Sequence, residues 1–212
     1  TTVFTFPTAP LEGGPLSFEA SEAESIEIKN GGTYEPDLGS LLEAPVNLDF
    51  SGEDPRVLII HTHATESYTI EPGWEYTASS DYRTLDPEYN MIRVGEAMTR
   101  ILEEAGIPVI HDTTLNDYPS YNGSYDRTRE NIERYLEQYP SIQMVIDVHR
   151  DAVELLEGGQ MATSATVNGK PSAQVMLVMG TDDRGDFPNW RENLTLAFQI
   201  QKSMNTLYPT LA

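Results

Sequence analysis

Apolar positions along this chain follow two regimes, and the change comes near residue 55. Beyond it, short runs of branched apolar residues alternate with longer stretches whose apolar positions recur every three or four residues. "RVLII" (56–60), "IPVI" (107–110) and "IQMVIDVH" (142–149) are near-continuous apolar runs, the pattern of strands buried on both faces. Between the first two, "NMIRVGEAMTRILEEAG" puts Met91, Val94, Met98, Ile101 and Leu102 on one helical face and stops at Gly106. "SYDRTRENIERYLEQYP" spaces Ile132, Tyr135, Leu136 and Tyr139 the same way and closes at Pro140. Strand, helix, strand, helix, strand with short links predicts right-handed βαβ crossovers. The fold class is therefore α/β, a mainly parallel sheet with helices on both faces. A β-pair of "SATVNG" and "AQVMLVMG", turning near Asn168–Gly169, and a helix from about Asn189 to Leu207 complete the prediction.

The first 55 residues lack this alternation. "TTVFTFPTAPLEGGPLSFEASEAES" is rich in Pro, Gly, Ser and Glu, so residues 1–24 read as a linker. "SIEIKNGGTYEPD" alternates apolar and polar residues around Asn-Gly, which predicts a small β-hairpin at about 25–35 within an entry segment 25–55. The α/β domain then occupies 56–212.

Composition narrows the chemistry by exclusion. Against 34 acidic residues stand 13 basic ones, a formal net charge of −21, with no Lys/Arg cluster of the kind that neutralises phosphates. Nucleic acid and anionic lipid are not expected partners. No apolar run approaches a membrane span, and the opening Thr1 reads as the start of an excised piece. With no cysteine, a transition-metal site has to be built from imidazole and carboxylate. That makes the four histidines worth tracing.

His61 and His63 follow the first strand, His111 follows the second, and His149 ends the third. Functional residues of open α/β sheets gather at these carboxyl ends. His63–Ala64–Thr65–Glu66 is an H-x-x-E spacing, which a turn after a strand can fold onto one point. With His149 as the third ligand, two histidines and one glutamate leave a zinc position open for water, an arrangement suited to amide hydrolysis. His61 is assigned to the surroundings of the site or to structure, and His111 to a polar strand cap beside Asp112.

Taken together, "VLIIHTHATESYT", "YNMIRVGEAM", "GIPVIHDTTLNDYPSYNGSYDRTRENI" and "VIDVHRDA" resemble the stage II sporulation protein P family of cell-wall hydrolases, from about Ser25 onward. The family is similar to zinc-dependent N-acetylmuramoyl-L-alanine amidases, whose fold is related to that of zinc carboxypeptidases. The resemblance implies cleavage of the amide between MurNAc and L-Ala of the stem peptide during engulfment. It also implies an upstream membrane anchor, an extracytoplasmic location, peptidoglycan as substrate and the lytic transglycosylase stage II sporulation protein D as partner. By carry-over, His63 and His149 match the family's histidine motifs, and Glu66 is the preferred third ligand. Related amidases place that ligand near the start of the following helix, where Glu88 and Asn90 stand. The family's late acid/base glutamate has no match before Ala212, so this chain is expected to hydrolyse slowly or not at all.

Arg150, flanked by Asp147 and Asp151, is a candidate catalytic residue: it can polarise a carbonyl, bind a stem-peptide carboxylate, or brace its neighbouring acids. Trp74, on the long polar connection before the first helix, and Tyr121 are candidate substrate-binding residues. Two other readings stay open: a zinc carboxypeptidase trimming stem peptides, and a non-catalytic cell-wall-binding domain.

Overall fold

The computed structural model describes Glu19 and residues 26–70, 72–151, 153–154, 160–161, 163–184 and 187–211. They fall into two compact units: one is Leu48–Gln160, and the other joins the described residues of Thr1–Asn47 and Met161–Ala212. The predicted linker at 1–24 lies outside the described residues, Glu19 apart.

The first unit holds a parallel sheet of three strands flanked by helices. Strands β1 (Val57–Ile60), β2 (Val109–His111) and β3 (Met144–Asp147) lie in the order β2-β1-β3. Central β1 is sealed at all four residues, which is why it reads Val-Leu-Ile-Ile without a polar interruption. Ile59 pairs with His111 on one side, and Ile60 with Asp147 on the other. That register brings His61, His111 and His149 to one sheet edge.

Helix α2 (Met91–Glu104) starts where the Asn90 side chain accepts the Ile92 N–H at 3.0 Å, and Gly106 follows it at φ 81°. Helix α3 (Ser124–Gln138) follows a left-handed Gly123. Of the predicted apolar faces, Met91 is sealed, whereas Ile101 and Leu136 are exposed. A three-strand sheet is too narrow to cover two helical faces from end to end. Beyond β3 come two strands of two residues each, β4 (Val153–Glu154) and β5 (Gln160–Met161).

In the second unit, α1 (Leu38–Glu43) and α4 (Trp190–Leu207) pack around Ile26, Leu41, Leu42 and Phe198. Gln199 from α4 donates to the carbonyls of Leu41, Leu42 and Ala44, satisfying the open C-terminal end of α1. Strands β6 (Ser164–Val167) and β7 (Lys170–Ala173) are antiparallel and turn through Asn168 and Gly169, both at positive φ. The turn is where the sequence placed it, but the second strand is "KPSA"; residues 174–180 form no strand. The two-residue turn sets this register, and the apolar run falls one element too late.

The predicted hairpin at 25–35 is also corrected, since residues 26–35 carry no strand. The Asn30 side chain accepts the Gly32 N–H and donates to the Tyr34 carbonyl, while Asp183 accepts from the Thr33 N–H and hydroxyl. These side-chain bonds use the backbone groups a ladder would need. Among the described residues, no helix is long and apolar enough to cross a membrane.

Candidate active site

Residues 61–67 leave the end of β1 as tight turns, and successive side chains go to different places. His61 is fully buried and turns inward. Its Nδ1 donates to the Val148 carbonyl at 3.0 Å, so its Nε2 is the acceptor for His111 Nε2–H at 2.9 Å. Burial, chiefly, holds both rings below the usual imidazole range. Gly95 of α2 makes room for this pair: a Cβ there would stand 2.5 Å from both Nε2 atoms. His61 is thus structural, and His111 is its partner rather than a cap beside Asp112.

His63 faces the other way. Its ring stacks on Tyr121 at 4.6 Å and 10°, meets Tyr125 edge-on at 5.3 Å, and lies 5.3 Å from the ring of His149. Both tyrosines are well exposed, so they form the outer surface over a buried His63. Burial and the neighbouring His149 lower the affinity of His63 for a proton. His149 Nε2–H donates to Asp147 Oδ2 at 2.8 Å, and this bond raises its pKa. Asp147 is fixed in turn by the N–H and hydroxyl of Thr62.

Glu66 is buried, and burial raises its pKa. Its Oε1 lies 3.3 Å from Arg83 Nη2, and its Oε2 accepts the Arg150 backbone N–H at 3.2 Å. The other Arg83 nitrogen, Nη1, reaches Asp117 at 2.6 Å and Thr65 Oγ1 at 3.2 Å, and the guanidinium sits 4.9 Å from the Tyr121 ring centre. Tyr82, left-handed at φ 54°, turns the backbone so that Arg83 points in. Its carbonyl accepts the Ser67 N–H, tying this turn to the loop after β1.

The donor types suit zinc: two imidazoles and a carboxylate, with the far nitrogen of His149 held by an acid as in metal-bound histidines. The geometry does not complete the match. Among the described residues, no group of three or more His, Asp or Glu side chains is placed to hold a metal ion. Glu66 is held at Oε1 by the Arg83 side chain and at Oε2 by the Arg150 backbone N–H, so a metal drawing on all three groups has to compete with those bonds. Neither alternative ligand from the sequence joins the cluster in the contacts it makes. Glu88 is exposed and paired with Arg93 at 2.6 Å; Asn90 is the buried cap of α2 and donates to the Thr84 carbonyl. Trp74 is exposed on its connection.

Sequence reasoning missed Arg83, Asp117 and Tyr125. Arg83 lies on the same long polar connection as Trp74, and Tyr125, in the first turn of α3, follows the candidate Tyr121 by four positions. Arg127 of α3 secures the loop that carries Tyr121, donating to the carbonyls of Asn116, Ser120 and Asn122.

The model of the family described as stage II sporulation protein P matches residues 16–212. The chain belongs to the stage II sporulation protein P family. Stage II sporulation protein P of Bacillus subtilis (strain 168) is 30% identical over 168 residues, which cover 76% of this chain and 39% of that protein. The chain thus spans well under half the length of the relative. No solved structure matches it. Membership assigns a role in sporulation.

Proposed function

We propose that this chain is the hydrolytic domain of a cell-wall amidase, acting on the bond between MurNAc and L-Ala of the peptidoglycan stem, with zinc as its metal. The observation that carries this reading is the His63–His149 pair, at the ends of adjacent parallel strands beneath exposed tyrosines, in a chain of this family. If zinc binds, His63 and His149 are its protein ligands, and Glu66 would join them through Oε2, the oxygen that Arg83 does not hold. Zinc would supply Lewis acidity and a water acidic enough to attack an amide. The chain's own residues supply the frame: Asp147 orients His149, Tyr121 and Tyr125 shield His63 from water, and Arg83 keeps Glu66 in place. By family resemblance, the protein works outside the cytoplasmic membrane, beside the transglycosylase stage II sporulation protein D.

One observation favours the carboxypeptidase reading: Arg150, whose guanidinium is the kind of group a terminal carboxylate takes, stands at the site, with its backbone N–H on Glu66 and its Nη2 on the Tyr82 carbonyl. Purified peptidoglycan incubated with zinc-loaded protein separates the two. The amidase reading predicts new L-alanine amino termini and intact stem peptides. Release of single C-terminal residues would establish the carboxypeptidase instead, and binding of peptidoglycan with neither product formed nor zinc retained would establish a wall-binding domain.

A further inference from the structure

Residues around the start of α3 take hold of one imidazole. Gly123 stands left-handed at φ 79°, and the Ser124 N–H donates to the Tyr121 carbonyl at 3.2 Å, so the chain enters the helix through a tight turn. That turn lays Tyr121 flat on the His63 ring and sets Tyr125 edge-on to it. It also brings the Ser124 hydroxyl to 3.5 Å from His63 Nδ1. This is a long hydrogen bond, but Ser124 is 2% exposed and His63 5%, so it is made away from water. One turn on, buried Thr128 donates its hydroxyl to the Ser124 carbonyl at 2.9 Å and fixes the serine in place.

The companion ring is held at its other nitrogen. His149 Nε2–H donates to Asp147, which the N–H and hydroxyl of Thr62 hold in turn. His63 thus has Nδ1 occupied and His149 has Nε2 occupied. Among the described residues, the remaining nitrogen of each ring makes no hydrogen bond. A neutral imidazole carries its proton on the nitrogen whose neighbour accepts it, and the other nitrogen keeps a lone pair. For His149 that neighbour is a carboxylate, which only accepts. For His63 it is a hydroxyl, which can give or take. A functional His63 needs its lone pair on the open nitrogen, and that requires Nδ1–H donating to Ser124.

We propose that Ser124 is a positioning residue that accepts the His63 Nδ1 proton, so that the pair offers its ligand His63 Nε2 and His149 Nδ1. Two identical side chains then act through different atoms. The inference rests on the reading of His63 and His149 as the functional pair.

The test is long-range proton–nitrogen correlation NMR of the whole chain, metal-free and carrying isotope-labelled histidine, at a pH high enough for both rings to be neutral. Spectra of His63→Gln and His149→Gln assign the signals. The expected result is a proton on Nδ1 in His63 and on Nε2 in His149. Free histidine prefers the proton on Nε2, so the His63 tautomer has to be imposed by its surroundings. Ser124→Ala is expected to shift His63 toward Nε2–H by about threefold or more. Thr128→Val keeps the Ser124 hydroxyl and is expected to hold the parent ratio. Nε2–H on His63 or Nδ1–H on His149 in the parent overturns the assignment. An unchanged ratio in Ser124→Ala, or an equal shift in Thr128→Val, overturns the role of the hydroxyl. Zinc is then added as a separate reading. Tautomers as assigned with no zinc bound keep the positioning role and sink the zinc reading; zinc bound through His63 Nδ1 does the reverse.

Discussion

Two histidine pairs share one sheet edge, and their surroundings could hardly differ more. His61 and His111 face inward under Gly95, bonded to one another. His63 and His149 face outward under tyrosines, each among charged neighbours, with Asp147 bonded to one of them. His61 and His63 are two residues apart in the same turn. Residue type and spacing alone therefore do not separate a structural imidazole from a functional one; the partner of each ring nitrogen does.

The largest way to break this contrast is through the outer pair's scaffold. Arg83→Met leaves Asp117, whose side chain is fully sealed, and buried Glu66 without their cation. Chemical denaturation should show a loss of about 3–5 kcal/mol, and Arg83→Lys should recover little, because an ammonium has no fork to span both acids. A loss within measurement error would show that the network does not support the outer pair.

The inner pair is broken next. Gly95→Ala drives a methyl group into both Nε2 atoms and is expected to cost about 1–3 kcal/mol in the same assay. Adding His111→Ala should return part of that loss, a non-additive result that two independent sites would not give.

The smallest effect is in the pH dependence, where signs differ. His61 and His111 have folded pKa values below 6.5, so the unfolded chain takes their protons first. Their contribution is complete above pH 6.5 and is lost as pH falls through that value. Glu96 and Asp112 near His111, and Asp147 and Asp112 near His61, oppose the shift. His149 is raised by Asp147, so its contribution is complete below pH 6.5 and fades as pH rises through the folded value. His149→Gln should therefore make stability rise more steeply with pH between about 5 and 8. A flatter profile would reverse the assignment of His149.

The sequence showed the frame well. Apolar runs marked β1, β2 and β3, helical periodicity marked α2 and α3, and strand order brought the histidines to one edge. The H-x-x-E reading of Glu66 met a competitor that spacing cannot reveal. Arg83 comes from a turn 17 positions away, set by a left-handed Tyr82. The Asn-Gly signal at 30–31 was satisfied locally by a side chain, and the same signal at 168–169 made a real turn. Local chemistry was legible in both places; which partner won was a matter of tertiary contact.

The most direct test is zinc content by elemental analysis after reconstitution and desalting. It compares the parent, His63→Ala/His149→Ala, and His111→Ala. The outer pair is predicted to hold the metal, giving about one zinc per chain in the parent and in His111→Ala, and almost none in the double variant. Zinc retained by the double variant, or lost only on replacing His111, would contradict the assignment of function to the outer pair.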